Sequence, residues 1–230
     1  MNPNHQAWNR QQRELQQALL KPLDHQQAVE LFLCQHAAVH SAAMSGRSLW
    51  SFEDDIWQDV GEQDARSIPA AMEHSLVWIF WHLARIEDVT MNLLVAGCPQ
   101  VLTEGNWLAR TNSPICHTGN AMQSSEIAAL GETIDLEALR AYRAAVGRRT
   151  QELVCLLKPG DFKRNVQPAR LEQIRAQAAV LDAAWAIVDY WSTRTIGGLL
   201  LMPATRHNFL HLNEALRIKR SNHQKTTKPQ

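Results

Sequence analysis

The chain has 230 residues, of which 45% are hydrophobic, enough to fill the core of one large domain. Its 23 Lys and Arg balance its 23 Asp and Glu, so no basic excess is available to neutralise phosphates, and we expect no nucleic-acid partner. The amino-terminal segment lacks the apolar stretch of a signal peptide, and the longest apolar windows fall well short of the roughly 20 residues that cross a bilayer. These features predict a cytoplasmic protein with no membrane span.

Helical patterns follow one another along the chain, without an alternating strand pattern or an internal repeat. Pro22 and Asp24 separate the first two predicted helices, and Gly46 ends the second. The stretch 48–64 lacks a long period and predicts a loop with short turns. The predicted helices cover about 6–20, 24–44, 68–95, 136–157, 168–191 and 203–219.

The strongest predicted helix is 68–95, because apolar residues and His82 recur there at three- and four-residue steps and share one face. On the same helix Arg85 and Asp88 are three residues apart, which predicts a surface ion pair worth a few tenths of a kcal/mol. A long irregular region runs from Gly97 to about Ser125, and loops of that length are often functional.

The later helices are predicted from their end signals. Asp135 is a good N-cap for the helix 136–157, which Pro159 and Gly160 end. The last helix follows Gly197–Gly198 and begins near Pro203. We therefore predict an all-α helical bundle with at least four long helices, as one domain over 1–220 with a disordered tail over 221–230.

The cysteines are Cys34, Cys98, Cys116 and Cys155. They lie far apart and form no Cys-x-x-Cys pair, a pattern typical of proteins in a reducing compartment. We interpret them as small buried hydrophobic residues.

Histidines provide the candidate chemistry. His207 and His211 are four residues apart, so both imidazoles lie on one face of the last helix. This pair alone favours two ordinary histidines at the edge of the core. His82 changes the balance, because it lies on the inward face of another helix among large aromatic residues, where a neutral imidazole needs a polar partner. Three such histidines suggest one divalent metal with open coordination positions, as in catalytic zinc sites.

Three segments also resemble the DinB-like superfamily of metal-binding four-helix bundles: SLVWIFWHLARIEDV, LLLMPATRHNFLHLNEALRIK and, more loosely, IDLEALRAYRAAVGRRT. In that family one ligand histidine lies on the second bundle helix and two lie four apart on the last. The resemblance therefore implies His82, His207 and His211 as ligands. It also implies an up-down-down-up bundle with a long crossover, and a homodimer.

The activity implied by the resemblance is varied. Some DinB-like relatives are S-transferases or isomerases that use bacillithiol or mycothiol, and others are described as hydrolases. We therefore expect a metal-dependent S-transferase or hydrolase acting on a small molecule, with a low-molecular-weight thiol as a candidate partner. The alternative is a non-enzymatic stress-response or interaction bundle with a vestigial metal site. Zinc, nickel and iron all suit imidazole ligands.

Three nearby residues refine these hypotheses. A zincin protease needs Glu directly after the first histidine of the pair, but Asn208 stands there. Glu214 shares the face of His207 and His211 and is a candidate catalytic base, supporting acceptor or fourth ligand, or else a solvated carboxylate. His36 and His40 repeat the four-residue spacing and could form a competing metal pair, but with no Glu or third histidine tied to them we interpret them as core or pocket-lining residues.

Overall fold

The computed structural model describes residues 2–20, 24–46 and 50–226, with side chains described as far as 222. The all-α prediction is confirmed, since these residues contain no β-strand and only one isolated bridge pair. Two π-helical segments, Val89–Ala96 and Met202–Arg206, interrupt the α-helices, together with the 3-10 turns Asp161–Lys163 and Asp182–Ala184. The α-helices are α1 (Pro3–Leu20), α2 (His25–Ala37), α3 (Ala42–Ser45), α4 (Phe52–Trp57), α5 (Glu62–Arg66), α6 (Leu76–Asp88), α7 (Val101–Glu104), α8 (Trp107–Arg110), α9 (Ser124–Thr133), α10 (Leu136–Cys155), α11 (Pro168–Ala176), α12 (Ala186–Ser192), α13 (Ile196–Leu201) and α14 (His207–Thr226).

Helix α6 is the centre of the molecule. Every residue from Leu76 to Asp88 is buried, as expected for a helix that is apolar around most of its circumference. Helices α10 and α14 pack against α6, while α1 packs against α2. Because α6 is enclosed by neighbouring helices, each polar side chain on it must find a partner inside the protein.

The start of α6 differs from the prediction. The helix begins at Leu76 and not near 68, because Pro69 interrupts the pattern and the Ser75 hydroxyl accepts a hydrogen bond from the Trp78 amide. Beyond Asp88 the backbone continues as the π-helical segment Val89–Ala96. It ends at Gly97, whose φ of 70° is left-handed.

Asp88 holds a buried polar network at the end of α6. Its Oδ2 lies 3.0 Å from Arg85 Nη1 and accepts from the Tyr142 hydroxyl at 2.6 Å. The two carboxylate oxygens also accept from the amides of Val101 and Leu102 at 2.8 and 2.9 Å. The predicted surface pair of Arg85 and Asp88 is therefore wrong in its location, since both side chains are fully buried. The sequence spacing indicated the contact but not the helices that cover it.

Replacing Asp88 by Ala should lower the free energy of unfolding by about 3–5 kcal/mol, because it leaves the buried Arg85 charge without its carboxylate partner. Denaturant unfolding followed by circular dichroism measures this effect. The matched control is Asp182→Ala, which removes an exposed ion pair with Arg175 and should leave stability nearly unchanged. Equal effects of the two substitutions would contradict the structural role of the network.

The carboxy-terminal half departs from the predicted helix boundaries. The predicted helix 168–191 is broken into α11 and α12, because Ala178 has a left-handed φ of 47° and the Ala179 carbonyl accepts from the Thr118 amide. Residues Gly197 and Gly198 do not end a helix but lie within α13.

The last α-helix begins at His207, after the π-helical segment, and not near Pro203. It continues past the predicted end near 219 to Thr226, and Asn222 donates to the Asp64 carbonyl at 2.9 Å. The predicted disordered tail, 221–230, thus begins inside α14, and its last four residues lie outside the described residues.

The predictions for the N-cap Asp135 and for the cysteines have different outcomes. The N-cap role of Asp135 is confirmed, since its side chain accepts from the Ala138 amide. The cysteines are less buried than predicted, with Cys155 exposed and the other three partly exposed. None of the helices in the described part of the chain combines the length and apolarity needed to span a membrane.

Candidate metal centre

Helices α6 and α14 bring His82, His207 and His211 together. Their ring centroids form a nearly equilateral triangle, with distances of 5.0 Å from His82 to His207, 4.9 Å from His82 to His211 and 4.6 Å from His207 to His211. One ring nitrogen from each lies within 4.8 Å of the other two, so the group could hold a metal ion. His82 and His207 are 125 positions apart in the sequence, so only the tertiary fold brings them together.

His82 is oriented by the irregular region that precedes α9. Its Nδ1 lies 2.7 Å from the Thr118 carbonyl oxygen. Because a carbonyl only accepts, Nδ1 carries the proton and Nε2 presents a lone pair. Burial, followed by the nearby His211, lowers the pKa of His82 to about 3. The ring is therefore neutral at physiological pH, as a metal ligand must be.

His207 faces His82 across the two helices. The two Nε2 atoms are 3.1 Å apart, with His207 donating because the His82 Nε2 is unprotonated. Ligand nitrogens on one tetrahedral ion with bonds of about 2.0–2.1 Å lie about 3.3 Å apart, so this spacing fits a shared metal. Burial, and then the adjacent His82 and His211, hold the pKa of His207 well below its usual value. The π-helical segment Met202–Arg206 immediately precedes this residue, a feature frequent at functional sites.

Glu214 supports His211 from within α14. Its Oε2 lies 2.9 Å from His211 Nδ1, and its Oε1 lies 2.6 Å from His74 Nδ1. The His211 bond keeps that Nδ1 protonated, which leaves Nε2 for the site. Burial acts to raise the pKa of Glu214, but the hydrogen bonds and charges of His211 and His74 outweigh it and bring the pKa to about 2. This carboxylate is therefore an anion with both oxygens engaged, which favours an orienting role over that of a general base.

The sequence analysis missed His74. It stacks on Trp78 with centroids 3.6 Å apart, and Trp78 in turn stacks on His82 at 4.6 Å. The side chains of His74, His211 and Glu214 are 21%, 22% and 19% exposed. The centre is therefore enclosed on the His82 side and reaches solvent on the side of these three residues.

Changing Glu214 to Gln should weaken metal binding by about 10- to 100-fold without abolishing it, because the amide removes the anionic acceptor that orients His211. Titration against a competing chelator measures the affinity. Glu172→Gln, at an exposed position of α11, is the matched control and should bind as tightly as the unaltered chain. An unchanged affinity in Glu214→Gln would show that the carboxylate does not support the ligand.

A second group surrounds Glu87 and includes the histidine pair His36 and His40. His36 Nε2 and His40 Nε2 lie 2.7 and 3.0 Å from the two oxygens of this carboxylate. The view that no carboxylate accompanies these histidines is therefore wrong. Because every residue of α6 is buried, the sequence did not indicate which residues Glu87 would contact.

Comparison with known proteins agrees with this architecture. A crystal structure described as the conserved protein of locus from Enterococcus faecalis is similar, with a TM-score of 0.52, 18% identity, and coverage of 74% of this chain and 87% of that chain. At that identity the similarity shows the fold alone. No curated protein matches the chain. The family model of the DinB superfamily matches residues 54–215, which is more than half of the chain and includes His82, His207 and His211. The chain therefore belongs to the DinB superfamily.

Proposed function

We propose that this protein is a metal-dependent enzyme that acts on a small molecule, by thiol transfer or hydrolysis, at an ion held by His82, His207 and His211. The observation that carries the proposal is the three-histidine group itself, whose ring nitrogens lie within 4.8 Å of one another and which has one partly exposed side. Structural zinc sites usually have four protein ligands, often cysteines. A three-ligand group that reaches solvent is typical of a site that leaves a position for a reactant.

Each residue has a distinct task in this proposal. The Thr118 carbonyl and Glu214 hold the Nδ1 protons of His82 and His211, so that both Nε2 atoms point to the centre. The bound metal would supply Lewis-acid activation of a water or a thiol. The His74 ring and Glu214 line the exposed side, where an entering small molecule would meet a carboxylate whose two oxygens already accept hydrogen bonds.

The identity of the metal is part of the proposal, and zinc, nickel and iron all suit the imidazole ligands. Elemental analysis of protein purified without an affinity tag identifies the resident ion. A homodimer remains a prediction from the family resemblance, and light scattering would check it.

The decisive experiment is a panel of turnover assays on the metal-loaded protein with several low-molecular-weight thiols and with activated ester substrates. The comparison variant is His211→Gln, which removes one ligand but keeps a polar side chain of similar length. We expect turnover in the unaltered protein that the substitution abolishes. Stoichiometric metal without turnover in any assay would favour the alternative of a non-enzymatic bundle, and equal turnover in His211→Gln would overturn the proposed site.

A further inference from the structure

A second group of metal-ligand type lies in the core, formed by His36 of α2, His40 just after it and Glu87 of α6. All three side chains are fully buried. Their ligand atoms lie within 4.8 Å of one another. Two imidazoles and one carboxylate are a known zinc ligand set.

We propose that His36, His40 and Glu87 form a second divalent-metal site, structural and separate from the three-histidine centre. It goes beyond the proposed function and does not rest on it. These three ligands lie wholly within the core, whereas the first centre reaches solvent. An ion here would join α2 to α6 and stabilise the fold without meeting a substrate.

The ligand atoms already lie close together. The His36 Nε2 to Glu87 Oε1 distance is 2.7 Å and the His40 Nε2 to Glu87 Oε2 distance is 3.0 Å. Ligands of a tetrahedral ion are about 3.3 Å apart, so binding requires these contacts to open by a few tenths of an ångström. Because a carboxylate only accepts, both Nε2 atoms carry protons in the metal-free form. Metal binding requires each Nε2 to give up its proton, and the Nδ1 of the same ring is the other position that can carry one.

The charge of the group also favours a cation. The interactions of His40 and His36 with Glu87 outweigh the effect of burial and hold the pKa of this carboxyl well below its usual value. Burial lowers the pKa of His40 to about 3, although Glu87 opposes the shift. Arg143, which also acts on His40, is already paired with Glu53 at 2.6 Å. Hydrogen bonds therefore satisfy the oxygens of Glu87 but do not cancel its charge, and a buried charge is usually paired or coordinates a metal.

Asn208 completes the group and connects it with α14. Its Nδ2 donates to Glu87 Oε2 at 3.1 Å and to the Pro203 and Ala204 carbonyls. Its Oδ1 is buried and, among the described residues, has no hydrogen-bond partner. The nitrogen of this amide faces Glu87 in the metal-free form, so Oδ1 becomes a candidate fourth ligand when the amide turns by 180°. Asn208, which stands where a zincin protease would have Glu, therefore lies beside the second group.

The test is the zinc content of the full chain. The protein is unfolded in denaturant with a chelator, refolded with excess Zn²⁺ and freed of loose metal by gel filtration before elemental analysis. We expect two zinc ions per chain, one in His211→Gln, one in Glu87→Gln and two in the control Glu172→Gln. Since Glu87→Gln removes a buried charge, its helix content is checked by circular dichroism, and His40→Gln serves as the second variant.

The outcomes separate the two sites. One zinc per chain that disappears in His211→Gln and persists in Glu87→Gln or His40→Gln overturns the second site and leaves the proposed function standing. One zinc that persists in His211→Gln and disappears in the buried-site variants supports the second site and overturns the first. If the buried-site variants fail to fold, the zinc content of the unaltered chain and of His211→Gln decides. Fewer than two zinc ions in the unaltered chain, together with none in His211→Gln, overturns the second site.

Discussion

Replacing His207 or His211 by Ala should remove the ion of the three-histidine centre, weakening its binding by more than about 100-fold. Loss of an orienting partner costs about 10- to 100-fold, whereas each of these substitutions removes a lone pair that the ion needs. The three rings form one triangle with sides of 4.6 to 5.0 Å. Two remaining imidazoles therefore leave the ion without its third protein ligand.

Competition titration with zinc and nickel measures this loss. The matched control is His25→Ala, because the His25 ring contacts the Leu157 carbonyl and Phe162 and belongs to neither histidine group. It should retain the affinity of the unaltered chain. Full occupancy of the centre in His211→Ala would mean that the ligand assignment is wrong.

The metal-free protein should lose stability steeply as the pH falls from about 6.5 toward 5. Burial is the main cause that lowers the pKa values of His40 and His82 to about 3 and that of His207 well below its usual value. Below pH 6.5 these histidines take up protons in the unfolded chain but not in the folded one, so the unfolded state is favoured as the pH falls. Each such group contributes up to about 1.4 kcal/mol per pH unit.

Below about pH 4.5 a further loss should follow. The carboxyls of Glu87 and Glu214 have lowered pKa values in the folded protein. Their contribution to stability is present above the unfolded-state pKa and disappears as the pH falls toward the folded-state value. The histidine loss begins below about pH 6.5 and continues to about pH 3, so the carboxyl loss adds to it below about pH 4.5.

Denaturant unfolding in the presence of chelator, repeated between pH 7.5 and 5, checks the first window. His82→Gln should make the pH dependence shallower, because it removes one histidine that stays neutral in the folded state and keeps a donor for the Thr118 carbonyl. The exposed-site variant Glu172→Gln should keep the original dependence. A free energy of unfolding that does not change between pH 6.5 and 5 would contradict the neutral state of these rings.

Helix periodicity in the sequence was enough to predict part of the site. The four-residue spacing of His207 and His211 places both rings on one helix face whatever surrounds it, and the inward face of the helix at 82 follows from its apolar pattern. The resemblance to the DinB-like superfamily joined the two helices into one site. Glu214 was found for the same reason, since three residues from His211 is again one helix face.

Residues that act across long sequence distances were not predictable in this way. Thr118 and His74 reach the centre from loops, and Thr118 is 36 positions from His82 while His74 is 140 positions from Glu214. No local period marks such partners. The predicted helix boundaries around Ala178 and Pro203 were wrong for a related reason. Tertiary contacts and the π-helical segment override the local sequence signals there.

The sequence by itself determined the helical class, the central apolar helix and the three histidines, because each depends on local spacing or on composition. Only the tertiary structure decided which residues the charged side chains of α6 contact. Enclosed on all sides, α6 presents Arg85, Glu87 and Asp88 to different neighbours, so sequence spacing could identify the residues but not their partners. Burial turned a predicted surface ion pair into a core network, and placed Glu87 between two histidines as a candidate metal ligand.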